Sequence, residues 1–268
     1  MTYPETQINS HQSAVIKKNI KKRIQGMPMA YILGHKEFFG LDFEVNKYTL
    51  IPRPETELLL EQAIQVANDE LQVTSDIFIV DIGTGSGNII ISLAHEILKI
   101  KNQKSKIKFT AIDKSKRALI VAKRNAKNNK VDNKIKFLYG NLLSPFIKNH
   151  KKLITGHCSL IIVSNLPYLS KEIFESAHID VKKFEPKSAL YSPEAGLMHY
   201  NKLFLQVKRH LIIDHCSLII VLEFSPEQKK LLQQIIKTFF PNSRTQFKKD
   251  LAGKWRLAKI EINKTLKQ

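Results

Sequence analysis

The chain has 268 residues, of which 43% are hydrophobic. That is enough for one large α/β domain with a small appendage and a sizeable core. Lysine and arginine number 43 against 24 acids, a formal net charge of +19. Such a charge favours acidic partners, nucleic acid or a ribonucleoprotein first among them. Lys, Ile and Asn are abundant throughout, however, and a biased composition alone produces that. No apolar run reaches the roughly 18 residues of a membrane span. Residues 1–10 are polar and lack the basic-then-apolar pattern of a secretory signal. A cytoplasmic, monomeric protein without membrane contact is the expectation.

Residues 10–25 predict a short basic helix, with Val15, Ile16, Ile20 and Ile24 at helical spacing. Residues 26–50 hold Gly26, Pro28, Gly34 and Gly40 among aromatics and predict a β-hairpin. Together, residues 1–50 form an expected N-terminal segment ahead of a catalytic domain over 51–268. Ile51-Pro52-Arg53-Pro54-Glu55-Thr56-Glu57 then opens a helix, since proline and acids suit a first turn. Leu58, Leu59, Ala63, Ile64 and Ala67 give its apolar face.

From residue 77 onward strands and helices alternate. Strands are predicted over 77–80, 107–112, 135–139, 160–163 and 218–222, and helices over 88–99, 115–129, 200–212 and 226–238. The tail 244–262 predicts two strands around Leu251-Ala252-Gly253-Lys254. The lysine-rich stretches 99–108 and 148–152 read as solvated loops. Continuously apolar strands alternating with helices imply a parallel sheet covered on both faces.

Cys158 and Cys216 each sit in the heptapeptide His-Cys-Ser-Leu-Ile-Ile-Val. A reducing cytosol disfavours a disulfide. The His-Cys dipeptide lacks the usual zinc-ligand spacing, so no metal is expected. Two buried strands of similar composition explain the repeat.

Chemistry enters at the first strand-to-helix turn, Val80-Asp81-Ile82-Gly83-Thr84-Gly85-Ser86-Gly87. Its Gly-x-Gly-x-Gly spacing differs from the Gly-x-Gly-x-x-Gly that cradles a pyrophosphate. Glycines let the backbone approach a ligand, and the following helix offers free N–H groups. A cofactor with a carboxylate and an adenosine but no phosphate suits this loop. Asp113, ending the next strand, can accept both ribose hydroxyls.

The fourth strand of the alternation ends in Ser164-Asn165-Leu166-Pro167-Tyr168. Strand C-terminal ends are where an open α/β sheet binds ligands, which puts Asn165 beside the glycine loop. A planar amide or aromatic amine has a delocalised lone pair and must be oriented at a methyl donor. The Asn165 side-chain oxygen and the Leu166 carbonyl can accept its N–H groups. Pro167 holds Leu166 extended, and Tyr168 offers a flat apolar surface. Positioning the nitrogen about 3–3.5 Å from the methyl carbon is then the main catalytic task.

These residues resemble class I methyltransferases, and specifically the HemK/PrmC family of peptide-release-factor glutamine N5-methyltransferases. The resemblance runs over most of the chain. Its distinctive parts are the Ile-Pro-Arg-Pro-Glu-Thr-Glu segment and Phe184-Glu185-Pro186-Lys187-Ser188-Ala189-Leu190. Asn125-Ala126, Leu222-Glu223, Gln228 and Asp250-Leu251-Ala252-Gly253 also belong to it. It implies a seven-stranded, mostly parallel sheet with a reversed final hairpin, and S-adenosylmethionine as cofactor. It implies cofactor contacts at Gly83, Thr84, Gly85, Ser86, Gly87, Asp113, Leu142 and Asn165. The substrate would be the glutamine of the Gly-Gly-Gln tip of release factors, held by Asn165, Leu166, Pro167 and Tyr168. A weak ribosome or nucleic-acid contact through the basic surface is a further expectation.

Three departures stand out. The family's tetrapeptide is Asn-Pro-Pro-Tyr, and Leu166 replaces its first proline, losing a φ restraint and gaining an N–H. Asn-Leu-Pro-Tyr also resembles ribosomal RNA adenine dimethyltransferases, so adenine N6 methylation of RNA or DNA is the alternative. Asn141 stands where class I enzymes often carry an acid, and the N-terminal helical domain is reduced to about one helix. A catalytically silent, basic RNA- or ribosome-binding module is the reading from another class. Arg53 is open to two uses, the cofactor carboxylate or an ion pair, and Glu185 can shape the substrate mouth.

Overall fold

The computed structural model describes residues 7–73, 76–100, 105–150, 158–211 and 216–262. Helix α1 (Ser10–Ile24) starts at an Asn9 capping box with Gln12, buries no residue, and leaves Val15, Ile16 and Ile20 exposed. Its end is tied to the rest by an Arg23–Asp180 ion pair at 2.9 Å. The expected hairpin over 26–50 is corrected: its first part is a helical turn, α2 (Met29–Leu33), entered at Pro28 and closed by Gly34 at φ +86°. The hairpin proper is β1 (His35–Phe38) and β2 (Leu41–Glu44).

Pro54 opens a 3-10 turn that runs into α3 (Glu57–Leu71). The alternation follows as β3 (Asp76–Ile82), α4 (Asn88–Ile97), β4 (Lys106–Asp113), α5 (Lys116–Asn128) and β5 (Ile135–Tyr139). Then come α6 (Ser144–His150), β6 (Cys158–Ser164), α7 (Lys171–Ser176), α8 (Ile179–Phe184) and α9 (Met198–His210). The chain closes with β7 (Cys216–Glu223), α10 (Lys229–Phe239), β8 (Arg244–Lys249) and β9 (Trp255–Ile262). Helices α6, α7 and α8 were not anticipated. The supposed loops 99–108 and 148–152 give up their ends to β4 and α6; residues 101–104 and 151–157 lie outside the described residues.

The seven-stranded sheet runs β5-β4-β3-β6-β7-β9-β8. Pairs from β5 through β7 are parallel, and β9 is antiparallel to both neighbours, which gives the reversed final hairpin. Within β3, Phe78, Val80 and Ile82 join one core with Tyr200, Leu203 and Phe204 of α9. Ile77 and Ile79 join the other, with Leu59 and Leu60 of α3 and Leu93 of α4. A two-residue period with both faces covered makes every position apolar, the pattern visible in the sequence. Phe38 and Phe43 of the hairpin are buried in this second core.

Strand order reverses at β3, with β4 and β5 to one side and β6 and β7 to the other. The crevice between the β3 and β6 carboxyl ends is the switch point where open α/β sheets bind ligands. At the opposite sheet end, Cys158 and Cys216 are direct register partners, 4.7 Å apart at Cα, and form a disulfide. The expectation against a disulfide is corrected here: strand register sets the two thiols together whatever the compartment disfavours. Residues 157 and 215, the histidines of the two His-Cys pairs, lie outside the described residues. Among the described residues, no helix is long and apolar enough to cross a membrane.

Candidate active site

Ile82 and Ser164 are register partners, so the chain leaves β3 and β6 side by side. An open pocket of about 950 Å³, solvent at its mouth included, lies over these ends. Gly83 to Ser86, Asp113, Leu142, Asn165, Leu166 and Pro167 all line it. Gly87 and Tyr168 are set back from its wall.

The three loop glycines have different jobs. All have positive φ, which favours glycine. A Cβ on Gly83 would lie 3.1 Å from Leu166 Cδ2, while one on Gly85 would meet nothing closer than 3.9 Å. Gly85 therefore keeps the pocket open. At Gly87 a Cβ would come 2.7 Å from Ile91 and 3.2 Å from Ala122, so this glycine admits α5 against α4.

The loop is fixed from below. Asp113 accepts Gly85 N–H at 2.9 Å through one oxygen and Ser115 N–H at 2.7 Å through the other. Burial raises its carboxyl above the usual range, opposed by those two bonds. Asn125 is buried on α5, donates to the Ser86 and Glu44 carbonyls, and accepts Glu44 N–H. It thus ties the glycine loop to the hairpin.

Thr84 turns its hydroxyl inward to Asp81 at 2.6 Å. Asp81 is fully buried, and its other oxygen has no partner. Burial, helped by the Asp113 charge, pushes its carboxyl up to about 7 against the Thr84 hydrogen bond. Protonation is then favoured in the folded state, so this contribution to stability is complete below about pH 4 and is lost as pH rises through 7. Asp81→Asn is expected to remove that loss, gaining on the order of 2–4 kcal/mol over the wild type at pH 8 and nothing at pH 4. Urea unfolding across that range checks it; parallel pH profiles would contradict it.

Arg53 forms an ion pair and also lines the pocket. It bonds the Glu185 carboxylate at 2.5 Å, and that carboxylate also accepts Ile51 N–H at 3.1 Å. The two family-specific segments are therefore stitched together as one wall of the pocket, through Pro52, Arg53, Pro186 and Ser188. Glu185→Ala strands a buried N–H, while Arg53, about a third exposed, can rehydrate. A stability loss of about 2–3 kcal/mol is expected from urea titration.

Leu166 is 3% exposed and packs into the core with Leu142, beneath Gly83. Its amide, the donor a proline would lack, faces the buried Tyr200 hydroxyl. Leu142 holds φ +50°, an uncommon conformation for leucine that concentrates at functional sites. Asn165 donates through Nδ2 to Thr56 Oγ1 at 3.1 Å and Glu223 Oε2 at 3.0 Å. Tyr168 directs its hydroxyl to Glu223 Oε1 at 2.9 Å, and its carbonyl accepts Gln228 Nε2 at 2.7 Å. Sequence reasoning assigned no role to Thr56, to His199 or to the Glu223 carboxylate. His199 lines the pocket, is held by Ser192 Oγ at 2.9 Å, and titrates at about 4 because it is buried and near Lys114 and Lys202.

This strand order, with its ligand crevice at the β3–β6 switch point, is the architecture of a class I methyltransferase. Residues 74–250 match the family model described as a methyltransferase domain. The fold is similar to the hMettl16 catalytic domain in complex with MAT2A 3′UTR hairpin 6, at TM-score 0.57 and 14% identity over 84% of this chain and 77% of that one. It is similar as well to the human methyltransferase 10 domain containing protein, at TM-score 0.55 and 14% identity over 97% and 100%. In sequence, the chain is 32% identical over 261 residues to the release factor glutamine methyltransferase of Enterococcus faecalis, covering 97% of this chain and 85% of that one. It is 36% identical over 245 residues to that of Dictyoglomus turgidum, covering 91% and 79%. The chain belongs to the release factor glutamine methyltransferase family, and it is an S-adenosylmethionine-dependent methyltransferase.

Proposed function

We propose that this chain methylates the side-chain amide nitrogen of the glutamine in the Gly-Gly-Gln motif of translation release factors. The observation that carries the reading is the orientation of Asn165. Its amide nitrogen is turned inward, toward the adjacent Thr56 Oγ1 and Glu223 Oε2, so its oxygen is the atom left for the pocket. A carboxamide substrate needs an acceptor there.

The pocket residues fit S-adenosylmethionine. Asp113 spends one lone pair on each backbone amide and keeps the others for a vicinal diol. Gly85 leaves the backbone bare, and Leu142 supplies an apolar wall for a purine. When bound, this cofactor supplies a methyl group on a positively charged sulfur, which needs an oriented nitrogen lone pair and no strong base. Asn165 Oδ1 and the Leu166 carbonyl accept the two N–H groups of the substrate amide and fix its plane. Pro167 aims that carbonyl, and the nitrogen sheds one proton to water once it carries the methyl group. Tyr168, set back from the wall, holds the tetrapeptide in place through its hydroxyl bond to Glu223.

The partner is then a release factor, met in the cytoplasm by a monomeric enzyme whose +19 charge favours a weak contact with ribosomal or other nucleic acid. Both relatives above carry the glutamine name, and adenine methylation is not favoured. Mass spectrometry of a release factor co-expressed with this chain tests the reading. One added methyl on the Gly-Gly-Gln glutamine is expected; label entering RNA alone would overturn it.

A further inference from the structure

We propose that Glu223 is a positioning residue that fixes the flip of the Asn165 carboxamide, so that an acceptor rather than a donor faces the substrate. The proposal rests on the acceptor role given to Asn165 above. Glu223 ends β7, one strand over from the tetrapeptide, and is 1% exposed. Its carboxylate accepts from three side chains: Thr56 Oγ1 at 2.7 Å, Asn165 Nδ2 at 3.0 Å and Tyr168 Oη at 2.9 Å. Its main-chain carbonyl accepts the Tyr200 hydroxyl. Through its carboxylate the residue reaches positions 165 and 168 of the four.

Chemistry makes this arrangement directional. Burial raises the Glu223 carboxyl, and the hydrogen bonds from Thr56 and Tyr168 oppose that by favouring the ionised form, which can only accept. Thr56 gives its single hydroxyl hydrogen to Glu223, so toward Asn165 it too can only accept. A flipped Asn165 would press Oδ1 against two acceptor oxygens with no hydrogen between them, and leave Nδ2 pointing at a substrate N–H. In a buried site both faults are costly, because unpaired polar groups are not rescued by water. Without the carboxylate, the amide loses the group that tells its two ends apart.

Glu223→Leu removes the acceptor at similar size, and Glu223→Gln restores one acceptor oxygen. In a steady-state assay on release factor, kcat is expected to fall about 100-fold in the leucine variant, with cofactor Kd by calorimetry within threefold of wild type. The glutamine variant is expected to recover kcat to within about tenfold. A leucine variant within threefold of wild-type kcat overturns the proposal, as does a glutamine variant no better than leucine. Should the leucine variant not fold, Thr56→Val decides: about tenfold lower kcat supports the network, and unchanged kcat overturns it. A second readout does not involve turnover. In protein labelled with 15N-asparagine, the Asn165 side-chain amide is expected to exchange with solvent at least tenfold more slowly than exposed asparagines. Exchange as fast as theirs overturns the proposal even if the wild type proves inactive on glutamine, an outcome that would sink only the substrate reading.

Discussion

Asn165→Ala is expected to lower single-turnover methyl transfer by roughly 10²–10³-fold while leaving cofactor affinity within a few-fold. The asymmetry follows from where the side chain sits. Asn165 is half-buried just past the end of β6, lines the pocket, and has its nitrogen bound inward. In the proposed geometry, deleting the carboxamide removes an acceptor from the substrate and leaves the Leu166 carbonyl alone to orient a plane that needs two points. The donors Thr56 and Tyr168 keep Glu223 as their partner, so the buried carboxylate is not abandoned. A thermal melt close to wild type is therefore the expected control. Turnover within threefold of wild type would remove Asn165 from the mechanism.

How readily each part of the site could be read from sequence depends on how local it is. The glycine loop and the tetrapeptide are contiguous, and strand ends place them, so their meeting followed from topology alone. Glu223 and Thr56 reach Asn165 across 58 and 109 residues, and no local pattern announces that convergence. His199 enters the pocket from α9, where its spacing says only that it lies on a helix. The fold shows the same division. Strands β3, β6 and β7 are apolar at nearly every position because both faces are covered, and that run is unmistakable. Helices α2, α6, α7 and α8 have five to seven residues, too few for a 3.6-residue period to repeat. In α6 the buried Phe146 docks the helix with Ile147 packed beside it, two adjacent positions that show no helical period. The disulfide was misjudged because compartment chemistry was given more weight than the pairing of the two strands' first residues.

Leu166 illustrates how a departure from a family pattern is absorbed. Proline at that position would restrain φ and carry no donor. Leucine brings a donor, which faces the Tyr200 hydroxyl; it brings a longer side chain, and the space beneath Gly83 takes that. The restraint moves from a covalent ring to packing in the core. Activity with this tetrapeptide is thus compatible with the geometry.

Asp113→Ala is expected to weaken S-adenosylmethionine binding by roughly 100-fold or more, the effect of losing two charge-assisted hydrogen bonds to a diol. The structural part of the argument is independent of the ligand. Asp113 holds Gly85 N–H with one oxygen and Ser115 N–H with the other, joining the glycine loop to the start of α5. Alanine releases both amides, so the loop loses its brace at the residue whose bare backbone keeps the pocket open. Asp113→Asn separates the two contributions. Its oxygen can still serve one amide, but its nitrogen meets the other donor to donor, so an intermediate loss of about tenfold is expected. The kinetic signature differs from that of Asn165→Ala: the cofactor KM rises steeply, and kcat at saturating cofactor falls much less. Calorimetric titration of both variants checks the prediction, and an unchanged Kd in Asp113→Ala would place the nucleoside elsewhere in the pocket. A large rise in Kd together with a preserved kcat would instead divide the site cleanly, with the end of β4 holding the cofactor and the end of β6 orienting the substrate.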